Sequence, residues 1–170
     1  MEKISGKAFV FGNNIDTDQI FPGRYLELVD PKEIAAHCLE GADPTLTQRL
    51  VSGDIIIAGR NFGCGSSREH AVITLVHAKV GAVIAESFAR IFYRNALNLG
   101  LAVLVCPGVR EKVNEGDKLE VNLLEGKVTN LTSGATIKGE KLSEFALKIL
   151  ASGGIKPLYR KITAEMHKEE

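Results

Sequence analysis

Short apolar runs and polar, glycine-containing breaks take turns along the chain in a rhythm that reads as strands and helices following one another. Residues 7–11 predict a short strand. The turn formers Gly12, Asn13, Asn14 and Asp16 follow, with a loop running on through Phe21-Pro22-Gly23-Arg24. Asp30 as N-cap, Pro31 at the first helical position and Gly41 beyond the end predict a helix over 31–39, with a shorter one over 45–50. After the turn Ser52-Gly53-Asp54 comes Ile55-Ile56-Ile57-Ala58. Every position there is apolar, the pattern of a strand covered on both faces.

The loop after that strand ends in Ser66-Ser67-Arg68-Glu69. The Ser66 to Glu69 spacing predicts a capping box that opens a helix over 71–78. A second strand and helix repeat the pattern, with 82–85 extended, Ser87 as N-cap, 88–98 helical, Gly100 as the stop and 101–105 returning as a strand. The last third changes character. Residues 118–123 and 127–131, joined through Glu125-Gly126, predict a hairpin, and a final helix over 143–151 ends at Gly153-Gly154. The expected architecture is therefore α/β, with a mixed, partly parallel sheet flanked by helices in one domain spanning residues 1–170.

Composition narrows the function classes. Hydrophobic residues are 45% of the chain and charged residues 25%, which suits a packed core rather than disorder. Lys plus Arg and Asp plus Glu are 21 each, so no uniform field draws the chain to nucleic acid or to an anionic membrane, and anion binding must come from a local cluster. With no signal-type apolar run at the start and no bilayer-length apolar stretch, the expected location is the cytoplasm. Cys38, Cys64 and Cys106 are widely spaced and form no CxxC pair. They predict neither a disulfide framework nor a cluster held by this chain alone.

Chemistry concentrates in Gly63-Cys64-Gly65-Ser66-Ser67-Arg68. Two glycines let backbone N–H groups converge, a helix start adds partial positive charge, and Arg68 offers a fork suited to a carboxylate. These features suit an anion site. They equally suit a plain helix start, with Ser66 as cap and Arg68 as a surface cation, and the residues alone leave both readings open. His70 and His77 read as packed or surface histidines, Cys64 as a packing residue of the loop, and Arg90 and Arg94 as anchors of the fold, with contact to a partner chain as the alternative.

The segment from Gly59 through Arg60-Asn61-Phe62-Gly63-Cys64-Gly65-Ser66-Ser67-Arg68-Glu69-His70-Ala71 resembles the swivelling β/β/α domain of the aconitase superfamily. In particular it resembles the stand-alone small subunits of the isopropylmalate dehydratase and homoaconitase type. Asp16-Thr17-Asp18-Gln19-Ile20 with Pro22-Gly23-Arg24-Tyr25-Leu26, and Ser87-Phe88-Ala89-Arg90-Ile91-Phe92-Tyr93-Arg94-Asn95, are similar to that family's other two motifs. The resemblance implies a heteromeric hydro-lyase active only with a large subunit that carries a [4Fe–4S] cluster, acting on a small di- or tricarboxylate 2-hydroxy acid. It implies Ser66 as the base, with Gly65, Ser67 and Arg68 at the substrate carboxylate, no metal on this chain, and self-association left open. Asp18 is implied to orient groups at the cleft, with an Asx-turn as its plain alternative.

In such subunits the stretch after Tyr-Leu is associated with substrate choice, and here Arg24, Tyr25, Leu26, Glu27, Leu28 and Val29 occupy it. Glu27 would repel a third carboxylate, while Leu26, Leu28 and Val29 offer apolar surface if Glu27 faces solvent or pairs with Arg24. The expected substrate is 3-isopropylmalate, as in leucine biosynthesis. The alternatives are 2,3-dimethylmalate, a citraconate or methylmalate-type hydration, and homoaconitate. Two other classes compete: a hydrolase with Cys64 as nucleophile and His70 as base, and a non-catalytic anion-binding assembly module.

Overall fold

The computed structural model describes residues 3–169. One seven-stranded sheet organises the chain: β1 (Ile4–Val10), β2 (Ile55–Ala58), β3 (Ala82–Ala85), β4 (Val103–Val105), β5 (Lys118–Asn122), β6 (Lys127–Asn130) and β7 (Thr136–Lys138), in the order β4-β3-β2-β1-β5-β6-β7. From β1 to β4 the pairings are parallel, and from β1 through β5 and β6 to β7 they are antiparallel. The mixed sheet is thus as expected, with β1 as the seam.

The continuous apolar runs explain the centre of the sheet. Along β2, Ile56 and Ala58 face one core and Ile55 and Ile57 the other, and β3 divides in the same way into Val83 and Ala85 against Ala82 and Ile84. Every residue of both strands is buried, because helices cover one face while β5, β6 and a further helix close the other. The first core is roofed by α4 (His70–His77) and α5 (Arg90–Asn98), with Cys38 and Leu39 entering it from the turn after α2 (Pro31–Ala35), which packs on α4 through Thr74 Oγ1 to Ile34 O. A ring cluster of Phe62, Phe88 and Phe92 sits beneath α5, with Phe62 edge-on to both of the others.

Several boundaries differ from expectation. Asp30 caps α2 through Lys32 N at 3.0 Å, but α2 ends at Ala35 and the chain continues in turns to Leu39, which is buried at a φ of +54°. The loop after β1 contains α1 (Thr17–Ile20), opened by a capping box of Asp16 and Gln19 that the polar spacing concealed. Short α3 (Leu46–Arg49) and α7 (Glu144–Ser152), capped by Ser143, follow the sequence reading. The sequence reading did not include α6 (Val109–Lys112), β7 or α8 (Ile155–Lys168). Ile155, Leu158, Tyr159, Ile162 and Met166 recur at helical spacing along α8, yet only Leu158 is buried. Among the described residues no helix is long and apolar enough to cross a membrane.

Candidate active site

The carboxyl ends of parallel β2 and β3 lie side by side, and the loops leaving them build the site. Gly63 and Gly65 take φ values of +85° and +96°, and a Cβ on Gly63 would fall 2.2 Å from Cγ of Phe92. The turn therefore needs glycine for conformation and for space. It carries Gly65, Ser66 and Ser67 to the surface.

Ser66 does not cap a helix. The α4 helix begins at His70 with Glu69 at its N-cap position, where neither Glu69 nor Ser66 makes a capping bond. The physical reason is a tight bond from Arg68 N to Ser66 O at 2.8 Å, which curls 66–68 into a turn of its own and delays the helix. The hydroxyl is left for other work. Ser66 Oγ lies 3.3 Å from Oγ1 of buried Thr17. Gly63 N is spent on Ile15 O at 2.8 Å, whereas the amides of Gly65, Ser66 and Ser67 donate to no protein group among the described residues. Three free donors beside an exposed hydroxyl form an anion cradle.

This cradle opens into a cleft of ≈ 390 Å³. Thr17, Gly65, Ser66, Ser67 and Arg68 form one wall, and Arg90, Ile91, Arg94 and Asn95 of α5 line the other. No Asp or Glu lines it, and Arg90 and Arg94, with Arg68 paired to Asp18 at its edge, give it a positive field in a chain whose charges balance. Arg90 and Arg94, expected as fold anchors, form no ion pair among the described residues and border the cleft instead. The α5 helix starts at Arg90, with Ala89 at its N-cap position, and not at Phe88 behind a Ser87 cap. Ser87 Oγ accepts from Asn61 N at 2.8 Å and so braces the first loop.

Asp18 Oδ1 accepts from Gly23 N at 2.8 Å and from Arg68 Nη1 at 3.3 Å. The Gly23 amide first, and the Arg68 guanidinium after it, hold its carboxyl below the usual carboxylate range. The bond to Gly23 spans five residues, longer than an Asx-turn, and ties the early loop to Arg68. The remaining loop residues stay outside the cleft. Arg24 pairs with Glu40 and not with Glu27, Glu27 is exposed, Leu26 and Leu28 are half-buried, and Val29 is 88% exposed. The expected apolar wall is therefore not assembled by this chain alone.

The thiol and imidazole groups do not converge. No hydrogen bond joins Cys64 to His70 among the described residues, and the His70 ring stacks on Phe21 with centroids 5.7 Å apart. His77 is exposed. Burial pushes the thiols of Cys38 and Cys106 up to about 12 and about 11, and the two lie in opposite cores. No group of three or more His, Cys, Asp or Glu side chains that could hold a metal ion occurs among the described residues, so these residues do not fit a cluster. Sequence reasoning passed over Thr17, Ile91 and Asn95 as site residues. The hydroxyl of Thr17 inside the Asp16-to-Ile20 motif was the available signal for the first.

Residues 48–108, which run from before β2 to beyond β4, match the family described as the aconitase C-terminal domain. The chain is 55% identical over 162 residues to the isopropylmalate/citramalate isomerase small subunit of Methanocaldococcus jannaschii, covering 95% of this chain and 96% of that protein. It is 47% identical over 153 residues to the 2,3-dimethylmalate dehydratase small subunit of Eubacterium barkeri, covering 90% and 94%. A crystal structure of 3-isopropylmalate dehydratase from Methanocaldococcus jannaschii matches with a TM-score of 0.95 at 41% identity, over 99% of this chain and 100% of that one.

Proposed function

The chain belongs to the 3-isopropylmalate dehydratase small-subunit family of aconitase-type hydro-lyases, and from that premise we propose that it supplies the proton-transfer and carboxylate-binding half of an active site completed by a large subunit. The observation that carries this reading is the convergence of Ser66 Oγ, the free amides of Gly65 to Ser67 and Arg68 in one cleft without a carboxylate. In this reading the whole chain acts as one swivelling domain, in the cytoplasm.

Arg68 and Ser67 hold the substrate carboxylate next to the carbon that loses its proton. Ser66 as alkoxide takes that proton, the C–H electron pair becomes the double bond, and the hydroxyl on the adjacent carbon departs. Addition of water in the opposite sense completes the isomerisation. A serine alkoxide needs strong local stabilisation, which the loop amides, Thr17 Oγ1 and Arg68 are placed to give. Lewis-acid assistance to the departing hydroxyl is what a [4Fe–4S] cluster on the large subunit supplies in this reading; this chain's residues do not hold it.

The substrate is a 2-hydroxy dicarboxylate with an alkyl branch, 3-isopropylmalate first. Citramalate and 2,3-dimethylmalate are close seconds, because relatives bearing those names match over nearly their full length. In this reading Glu27, on the loop that meets the substrate once the large subunit closes the site, disfavours a third carboxylate by like-charge repulsion. The test is reconstitution with a cluster-bearing large subunit and assay against 3-isopropylmalate, citramalate, 2,3-dimethylmalate and homoaconitate. Preference for the tricarboxylate would overturn the substrate reading, and turnover by this chain alone would overturn the half-site.

A further inference from the structure

The turn after α2 is built to present one carboxylate. Leu39, fully buried, sits in the left-handed region that non-glycine residues rarely adopt, and such an outlier persists only where its surroundings over-determine it. Those surroundings are α1: Leu39 N donates to Ile20 O at 2.8 Å and Gly41 N to Gln19 O at 3.0 Å. Between these two stitches stands Glu40. Both of its oxygens are engaged, Oε1 by the Tyr25 hydroxyl at 3.0 Å and by Arg24 Nη2 at 3.3 Å, Oε2 by His37 Nδ1.

Stacking reinforces the same contact. The His37 ring lies 3.6 Å from the Tyr25 ring at an interplanar angle of 13°, and the Arg24 guanidinium sits 4.7 Å from the Tyr25 centroid. Burial on its own would raise the Glu40 carboxyl, but hydrogen bonds from His37 and Tyr25, with the charges around it, outweigh that and keep it ionised. The early loop is thus gripped at two places. At its inner end Gly23 is tied through Asp18 to Arg68, and Phe21 stacks on His70 at the start of α4. At its outer end Glu40 holds Arg24 and Tyr25. Neither Glu40 nor His37 lines the cleft.

We propose that Glu40, supported by His37, is a positioning residue for substrate selection: it fixes the Gly23–Tyr25 turn, and with it residues 26–29, in the place where they meet the substrate's alkyl group once the large subunit closes the site. This rests on the reading of residues 24–29 as the selectivity loop. It adds that the selectivity resides in an anchor outside the substrate's reach, on a different segment from the loop itself.

Two measurements on Glu40→Gln, Glu40→Ala and Tyr25→Phe decide it. In the reconstituted complex, KM for 3-isopropylmalate should rise roughly tenfold in Glu40→Ala. KM for citramalate, whose methyl asks less of the loop, should rise no more than about twofold, with kcat for both within about threefold. Glu40→Gln, which keeps an acceptor for Tyr25, and Tyr25→Phe, which keeps the ring stack, should lie between wild type and alanine. Equal losses in kcat for both substrates would mark Glu40 as merely structural and overturn the proposal, as would unchanged KM values.

The second measurement needs no substrate and no partner. Hydrogen exchange on the full chain should show the Tyr25, Leu26 and Leu28 amides, which close the turn onto Pro22, Gly23 and Tyr25, exchanging roughly tenfold faster in Glu40→Ala, with β2 amides unchanged. Unchanged exchange in the loop overturns the anchor whatever the kinetics. Faster loop exchange in Glu40→Ala, together with a wild-type complex that turns over no alkyl-malate, would retain the anchor and remove the substrate reading instead.

Discussion

The two strand–helix junctions of the parallel half start from the same design and end with opposite uses. Each leaves a four-residue strand buried on both faces and enters a helix on the same side of the sheet. At the β2–α4 junction two glycines at positive φ push the chain outward, three amides stay uncommitted to the fold, and the Ser66 hydroxyl meets Thr17 Oγ1 alone among the described residues. At the β3–α5 junction part of the polar backbone, with the Ser87 hydroxyl, is spent on bracing the first loop. Ser87 receives Asn61 N through Oγ and Phe62 N through its carbonyl, and Ala89 N returns to Phe62 O at 2.9 Å. Phe88 and Phe92 pack into the ring cluster with Phe62. One junction is kept open by the other's closure. Unpaired polar groups survive at a surface only where neighbouring backbone cannot collapse onto them, and the second junction provides that rigidity.

Breaking the open junction should cost most. Ser66→Ala removes the base of the proposed mechanism, and kcat in the reconstituted complex should fall by about 10²–10⁴ while assembly with the large subunit persists on gel filtration. A variant that retained turnover would return Ser66 to a structural role. Gly63→Ala attacks the shape of the same junction. Its Cβ would enter the Phe92 ring at a φ of +85°, so unfolding in urea should show a loss of roughly 1–3 kcal/mol along with impaired activity. A neutral result would mean that the ring cluster yields easily.

The closed junction is tested through stability alone. Ser87→Ala takes away the acceptor for Asn61 N and should cost about 0.5–1.5 kcal/mol in the same titration, with kcat at saturating large subunit changed little. A kcat loss comparable to that of Ser66→Ala would show that the brace itself takes part in the chemistry. The smallest effect concerns pH. Asp18 has a folded pKa below its unfolded value, so its tie to Gly23 and Arg68 is present above the unfolded value and is lost only as pH falls through the lowered folded one. Exchange of the Gly23 amide, corrected for its intrinsic rate, should therefore be alike at pH 7 and pH 5. Release of that amide within this range would place the pin elsewhere.

Much of this was legible along the chain because it depends on local or periodic physics. Ile55-Ile56-Ile57-Ala58 could be assigned as a strand covered on both faces and the run 82–85 as a strand, since short β-branched apolar runs bounded by turn formers favour that use. Asp30 capped the helix it was expected to cap, with Pro31 at its first position, and the helix expected from residue 143 formed with Ser143 as its cap. The Ser66 to Glu69 spacing misled because a capping box is a statement about backbone angles as much as residue types, and Gly65 at +96° and the Arg68 N to Ser66 O bond set other angles. The Asp16 and Gln19 box went unread amid turn formers, where each residue is also a good loop residue.

By itself the sequence determined the order of strands and helices, the positions where glycine must bend the chain and the residues offered at each bend, because these follow from side-chain periodicity and backbone sterics. Only the tertiary structure decided which offers meet. Thr17 beside Ser66, Arg90 and Arg94 across from Arg68, and Glu40 holding Tyr25 are contacts between segments 15 or more residues apart. Such contacts are set by how parallel strands align their carboxyl ends and by which polar groups the packed core leaves unpaired, and no spacing along one segment encodes them.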